Sequence, residues 1–137
     1  MEGDTIQYKE GYKYQLHTPY KVEVGIRLPD RVETPYLALE GGILYIREGY
    51  AWDGASGPTL DTSSSMRGSL VHDALYQLMR LGLVPLTHRL RADRLLYEMC
   101  REDGMWWIRA NLWEKAVNLF AEDCALPGTD REVCTAP

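Results

Sequence analysis

The chain has 137 residues, with 20 aspartates and glutamates against 15 lysines and arginines, and a formal net charge of −5 at pH 7. The length suits one domain that can bury a hydrophobic core without cross-links such as disulfide bonds. The negative charge argues against nucleic-acid binding, which needs a basic face, and it offers no attraction to anionic membranes. No apolar run approaches the ~20 residues that span a bilayer. Residues 1–10 are too polar and acidic for a signal peptide.

The first part of the chain, residues 1–48, has mainly the pattern of β-strands. Val22, Val24 and Ile26 alternate with polar residues or glycine, which is the period of a strand with one wet face. The segment Glu40-Gly41-Gly42 separates two apolar runs and predicts a hairpin, whereas the stretch from Pro29 to Pro35 predicts a loop. The predicted strands span residues 12–17, 20–26, 36–39 and 43–47.

Residues 49–65 predict a long loop, and loops of that length in a compact domain are typically functional or disordered. Residues 66–126 predict three helices and residues 127–137 an irregular tail. The first helix has Ser63 or Ser64 as its N-cap and ends at Gly82; the second runs from Thr87 to Gly104 and the third from about Met105 to Ala125. Strands followed by helices indicate a single α+β domain over residues 1–137, with a small antiparallel sheet and a three-helix C-terminal half. The residues expected to face inward are Leu70, Val71, Ala74, Leu75, Leu78, Leu81, Ala92, Leu95, Leu96, Met99, Cys100, Ile108, Leu112, Val117, Leu119 and Phe120.

The three cysteines, Cys100, Cys124 and Cys134, are an odd number at wide spacings. That arrangement is not typical of a disulfide framework or a zinc site, so we expect free thiols in a reducing compartment. Whether Cys124 and Cys134 pair stays open at this point.

The segment from Leu70 to Tyr76 contains the side chains best suited to chemistry. His72 and Tyr76 lie one helical turn apart on the same face, while Asp73 is turned by about 100° from His72. A short link makes the first two helices antiparallel neighbours, so that Asp93 can reach His72 and the Tyr76 hydroxyl can hold Asp93. In such a pair the carboxylate orients the imidazole, which takes a proton from water or a hydroxyl.

Asp73 is then left to bind a cation. The upstream segment from Trp52 to Gly57 has two glycines, whose backbone freedom allows several carbonyls to turn toward one ion. Calcium favours 6–8 oxygen ligands from carbonyls, carboxylates and water, and it would polarise an ester carbonyl. A structural interpretation is also open, because a helical histidine is often a satisfied core residue, and Asp93 could pair with Arg89 or Arg94, or with nothing.

Two resemblances rest on these motifs. Residues 49–58, 70–76 and 91–93 look like an uncharacterised family of small phage- and prophage-encoded proteins, and that likeness extends over residues 49–121. It implies a phage origin and synthesis in the host cytoplasm. Whether the protein is associated with the virion stays open at this point. It implies no biochemical activity, because the family is a domain of unknown function.

The second resemblance is chemical: His72-Asp73-Ala74-Leu75-Tyr76 is similar to the His-Asp-x-x-Tyr motif of secreted phospholipases A2 and of the lipase domain in parvovirus capsids. It implies that His72 is the general base, Asp73 a calcium ligand and Asp93 the carboxylate that orients His72. Asp53 adds a carboxylate that the families' calcium loop lacks, and the paired cysteines of the secreted enzymes are missing. Three residues take the places of the loop's Tyr-x-Gly-x-Gly: Trp52, Gly54 and Ser56.

These features predict a phage protein that hydrolyses a phospholipid or another cell-envelope ester with the help of calcium. The alternative is a non-enzymatic virion protein of the tail or tail tip, with exposed tyrosines at an interface. A weaker alternative is a peptidoglycan hydrolase with a metal on His72, Asp73 and Asp93, which is a poor zinc set. The tyrosines expected to be exposed are Tyr8, Tyr12, Tyr14 and Tyr20.

Overall fold

The computed structural model describes residues 8–9, 14–52, 63–105, 109–112 and 114–115. The chain divides into two compact units, residues 1–53 and residues 54–137. All described strands lie in the first unit and all described helices in the second, so the predicted α+β class with strands before helices is confirmed. The strands are β1 Tyr8–Lys9, β2 Tyr14–Leu16, β3 Tyr20–Glu23, β4 Val32–Glu33, β5 Leu37–Glu40, β6 Ile43–Ile46 and β7 Ala51–Trp52.

The strands of the first unit form two antiparallel sheets, with the orders β1-β2-β7 and β3-β6-β5-β4. Glu40 pairs with Ile43 across the predicted hairpin, which is confirmed. The turn residues Gly41 and Gly42 have φ angles of 59° and 81°. Two successive positive φ angles are the requirement of the tight hairpin turn that matches strand twist, and glycine adopts them without a steric penalty.

The alternation in β3 places Val22 in the core and Lys21 and Glu23 in solvent, as the sequence predicts. Tyr20 is buried at the start of the same strand, so its predicted exposure was wrong: it shares the inward face with Val22, two residues away. Tyr14 is partly buried and packs against Trp52 with ring centroids 5.6 Å apart. Tyr12 lies outside the described residues, as does the side chain of Tyr8.

Two short strands, β4 and β7, lie where the sequence predicts loops. β4 lies within the segment from Pro29 to Pro35 because Thr34, Pro35 and Tyr36 form a turn that returns the chain along β5. The Thr34 hydroxyl accepts a hydrogen bond from the Leu37 amide at 3.0 Å, and the Thr34 amide donates to the Leu37 carbonyl at 2.7 Å. β7 occupies residues 51–52 of the predicted site loop because these residues pair with β2. β3 ends at Glu23, before Gly25 with its φ of 73°.

The second unit contains α1 Ser63–Arg80, a 3₁₀ helix Leu86–His88 and α2 Arg89–Glu102, and residues 109–112 and 114–115 are also helical. The end of α1 follows the prediction: the Gly82 amide donates to the Met79 carbonyl and the Leu83 amide to the Leu78 carbonyl, with φ 74° at Gly82. That is the pattern in which a left-handed glycine satisfies the last carbonyls of a helix. No described helix has the length and apolar character needed to cross a bilayer.

α1 and α2 pack antiparallel, since residues early in α1 contact residues late in α2. The guanidinium of Arg67 meets the carboxylate of Asp103, whereas His72 meets Asp93. Most predicted inward residues are buried, but Leu81 is 55% exposed because it follows the last residue of α1 and leaves its apolar stripe. Leu112 is 61% exposed, which contradicts its predicted burial, while Ala110 in the same helical segment is buried. Ile108, Val117, Leu119 and Phe120 lie outside the described residues.

Candidate active site

Three side chains predicted to meet across the helical pair form one hydrogen-bonded network. Nε2 of His72 lies 2.7 Å from Oδ1 of Asp93. The Tyr76 hydroxyl donates to the same oxygen at 2.6 Å. The His72 and Tyr76 rings also contact each other, with centroids 4.2 Å apart and planes inclined by 32°. The predicted contacts of Asp93 with both residues are therefore confirmed.

The geometry of the network follows from the antiparallel pairing. His72 and Tyr76 are four residues apart on α1 and project from one face. Asp93 lies in the second turn of α2, close to the link that joins the helices. A link of eight residues between Arg80 and Arg89 holds the end of α1 beside the start of α2. The three side chains consequently meet near the closed end of the helical hairpin.

The three side chains are buried, which makes the surroundings of the Asp93 carboxylate important for its stability. Asp93 is 0% exposed and His72 is 3% exposed. A buried carboxylate is several kcal/mol less stable than one in water, to order of magnitude, unless cations and donors surround it. Oδ1 of Asp93 accepts two hydrogen bonds, whereas Oδ2 is buried without one and lies 3.5 Å from Nη1 of Arg89. Asp93 is thus surrounded by an imidazole, a phenol and a guanidinium.

The hydrogen bonds assign a role to each nitrogen of the imidazole. Toward an ionised carboxylate, which only accepts hydrogen bonds, Nε2 of His72 is the donor. In the tautomer that makes this bond with a neutral ring, Nδ1 is the unprotonated nitrogen and the atom that can take up a proton. Burial, followed by the negative charge of Asp93, raises the pKa of the Tyr76 hydroxyl. Tyr76 therefore stays a neutral donor at physiological pH.

The predicted calcium ligands are only partly covered by the structure. Asp73 lies on the least buried side of α1 with Gln77, and both have interaction partners. Trp52 is fully buried in β7 of the first unit. Asp53, Gly54 and Ser56 lie outside the described residues. In the described part of the chain no three His, Cys, Asp or Glu side chains are grouped to hold a metal. The calcium site stays a prediction.

A metal on His72, Asp73 and Asp93 has no geometric support. These three residues all belong to the described part of the chain, and they are not grouped as metal ligands. The reason lies in the helix: His72 faces α2 and contacts Asp93, whereas Asp73 is turned by about 100° to the partly exposed side.

The sequence analysis missed a second buried charge cluster, at the other end of the helical pair. The Arg67 guanidinium is 3% exposed and makes a two-pronged contact with Asp103, with Nε 3.0 Å from Oδ2 and Nη2 3.0 Å from Oδ1. Nη2 also lies 2.6 Å from Oε1 of Glu102. One signal could have found it: Arg67 precedes Val71 and Ala74 at helical spacing, so it occupies a position of the buried stripe.

Comparison of the chain with protein-family models, with curated proteins and with solved structures gives no match. The function must therefore be argued from the described residues and from the motifs they carry.

Proposed function

We propose that the helical unit carries a hydrolytic site in which His72 is the general base for attack of water on an ester. The contact that carries this proposal is the 2.7 Å bond between His72 Nε2 and Asp93 Oδ1, reinforced by the Tyr76 hydroxyl on the same oxygen. A carboxylate in that place fixes the imidazole tautomer and stabilises the imidazolium that forms during the reaction.

The protein atoms that react belong to the His72–Asp93 pair, called the dyad below. His72 Nδ1 removes a proton from water while the water oxygen forms a bond to the ester carbonyl carbon, and the π pair of the C=O bond moves onto the carbonyl oxygen. The imidazolium that results is stabilised by Asp93 through Nε2. When the tetrahedral species collapses, the carbon–oxygen bond to the alcohol breaks and the proton on Nδ1 moves to the departing oxygen. The products are a carboxylic acid and an alcohol, and His72 returns to its neutral form.

We propose calcium as the cofactor, held by Asp73 together with Asp53 and the carbonyls of Trp52, Gly54 and Ser56. When bound, the ion would polarise the ester carbonyl and stabilise the negative charge on its oxygen. The motif likeness to phospholipases A2 favours a phospholipid or another cell-envelope ester as substrate, and the likeness to small phage proteins favours a role during phage infection.

The direct test is release of fatty acid from a phospholipid by the purified chain, with calcium and with a chelator. We expect calcium-dependent turnover in the wild type and a loss of at least about 100-fold in His72→Asn, since general-base catalysis contributes ~10²–10⁴-fold. His88→Asn is the matched control, because His88 lies in the 3₁₀ helix and takes no part in the network. Turnover that survives in folded His72→Asn contradicts the proposal.

A second candidate function, a non-enzymatic virion protein of the tail or tail tip, is favoured by one observation. His72 and Asp93 are almost completely buried, which also suits a polar network that fastens two helices together. In that case His72→Asn lowers the melting temperature, no ester is hydrolysed by any variant, and the wild type co-purifies with particles at a fixed stoichiometry.

A further inference from the structure

We infer that Arg89 is a positioning residue of the dyad: it fixes the Asp93 carboxylate so that Oδ1 faces His72. This inference rests on the proposed function only where turnover is concerned. Nη1 of Arg89 lies 3.5 Å from Oδ2 of Asp93, the carboxylate oxygen that accepts no hydrogen bond. A carboxylate rotates about its bond to the Cβ carbon, so a cation on one oxygen determines where the other oxygen points.

The Arg89–Asp93 contact lies in a different environment from the two arginine pairs that Glu98 makes on α2. The Arg89 side chain is 18% exposed and Asp93 is fully buried, so water screens their attraction weakly. Arg91 and Arg94 instead pair with Glu98 between half-exposed side chains. Exposed pairs of that kind contribute little. The first pair therefore has the strength to orient a buried group, and the other two do not.

Stabilisation of the helix does not account for Arg89. It is the first residue of α2, where the partial positive charge of the helix N-terminus disfavours a cation. It also precedes its acidic partner by four residues, and an acid before a base is the better orientation for isolated helices. The Asp93 carboxylate offers this arginine a favourable interaction that opposes both preferences.

Among the described residues, the charged and titratable groups in contact with Asp93 are His72 and Tyr76 on α1 and Arg89 on α2. His72 and Tyr76 both use Oδ1. Without Arg89, no cation of the described residues would contact the buried Oδ2, and the carboxylate would turn to share its donors between both oxygens. The hydrogen bond to His72 would then lengthen or be lost.

The experiment compares Arg89→Gln and Arg89→Lys with Arg91→Gln, the matched control two residues along the same helix. The ring Nε2 proton of His72, assigned through its absence in His72→Asn, reports the bond to Asp93 by NMR. We expect a downfield, slowly exchanging signal in the wild type and in Arg91→Gln. The signal is expected to vanish in Arg89→Gln and to persist in Arg89→Lys, which keeps the charge. An unchanged signal in Arg89→Gln overturns the inference.

Turnover supplies a second readout if the wild type hydrolyses an ester. Misplacing a catalytic group by about 1 Å costs on the order of 100-fold in rate, and we expect Arg89→Gln to lose up to that in kcat with KM unchanged. If the wild type shows no turnover but its Nε2 signal still depends on Arg89, the proposed function is contradicted and the positioning role is retained. A change in KM alone overturns the positioning role.

A double substitution tests the inference in the case where Arg89→Gln does not fold. If Arg89→Gln alone unfolds, combining it with Asp93→Asn removes the unpaired buried charge, and we expect the double variant to fold again. A double variant that still fails to fold shows that Arg89 acts through other contacts and overturns the inference.

Discussion

Gly68 of α1 faces Cys100 of α2 so closely that a Cβ atom at Gly68 would lie 3.1 Å from the Cys100 Sγ, tighter than an ordinary van der Waals contact. The same atom would lie 3.2 Å from a Leu96 methyl group and 3.3 Å from the Leu96 carbonyl oxygen. The absence of a Cβ at residue 68 thus sets how closely the two helices approach. The His72–Asp93 bond, one turn along α1, depends on that approach.

Gly68→Ala is expected to destabilise the helical unit by about 0–2 kcal/mol, the cost of overpacking less the gain in helix propensity. Overpacking costs about 1–3 kcal/mol and offsets the gain of about 1 kcal/mol in helix propensity. The measurement is urea unfolding of Gly68→Ala, Cys100→Ala and the double variant. We expect the double variant to be more stable than the sum of the two single effects predicts, because alanine at residue 100 removes Sγ. Strict additivity would mean that the contact carries no strain.

Cys100 is expected to be unreactive in the native protein. Burial, with a smaller contribution from Asp103, raises the pKa of its thiol to about 12. A thiolate is the reactive form, and almost none exists at pH 8. In a Cys124→Ser/Cys134→Ser background, where Cys100 is the one remaining cysteine, a thiol-reactive aromatic disulfide should label the protein only after denaturant is added. Rapid labelling of the folded protein contradicts this.

The same thiol makes stability depend on pH in the alkaline range. The ordinary thiol pKa of 9.0 applies to Cys100 in the unfolded chain. Above about pH 9 the unfolded state therefore loses a proton that the native state keeps. The contribution of Cys100 to stability is complete below pH 9 and is lost as pH rises toward 12. The free energy of unfolding of the Cys124→Ser/Cys134→Ser protein should therefore fall more steeply over this range than that of the same protein with Cys100→Ala added.

Arg67 is expected to matter more for stability than any exposed arginine. Arg67→Met leaves the Asp103 carboxylate, which is mostly buried, without its guanidinium. Breaking a buried ion pair from one side costs about 3–5 kcal/mol, and partial exposure of Asp103 puts the expected loss near 3 kcal/mol. Arg47→Met, whose ion pair with Glu33 is half-exposed or more on both sides, should cost about 0–1 kcal/mol. Equal losses in the two variants would contradict this account.

Local chemistry explains which parts of the fold could be predicted. The turn at Gly41 and Gly42 and the end of α1 at Gly82 depend on a few adjacent residues, so composition is enough. The His72–Asp93 contact is long-range, yet a short link between two strongly periodic helices restricts their pairing and made it predictable.

Other elements depend on partners that nearby residues do not specify. The two-residue strands β4 and β7 exist because β5 and β2 pair with them, and strand propensity over two residues is uninformative. Arg67 occupies a core position of α1, but its partner Asp103 lies just beyond the end of α2, and no pattern near Arg67 points there. For Asp53, Gly54 and Ser56, outside the described residues, the calcium interpretation remains a prediction.

Tyr76→Phe separates the two interpretations of the network. The variant keeps the ring that packs on His72 and removes the hydroxyl that donates to Asp93. A hydrogen bond to a charged group contributes about 1.5–3 kcal/mol, so we expect a loss of stability near 2 kcal/mol. Tyr97→Phe is the control, because Tyr97 is half-buried and stacks under Arg94 without touching Asp93.

If His72 is a general base, Tyr76→Phe should also lower ester turnover, by less than His72→Asn does, because His72 keeps its own bond to Asp93. If the network only fastens α1 to α2, Tyr76→Phe and His72→Asn should both lower the melting temperature and no ester should be turned over at any stage. Stability that is unchanged in Tyr76→Phe is incompatible with both interpretations, because each requires the 2.6 Å bond from Tyr76 to hold the buried Asp93 carboxylate.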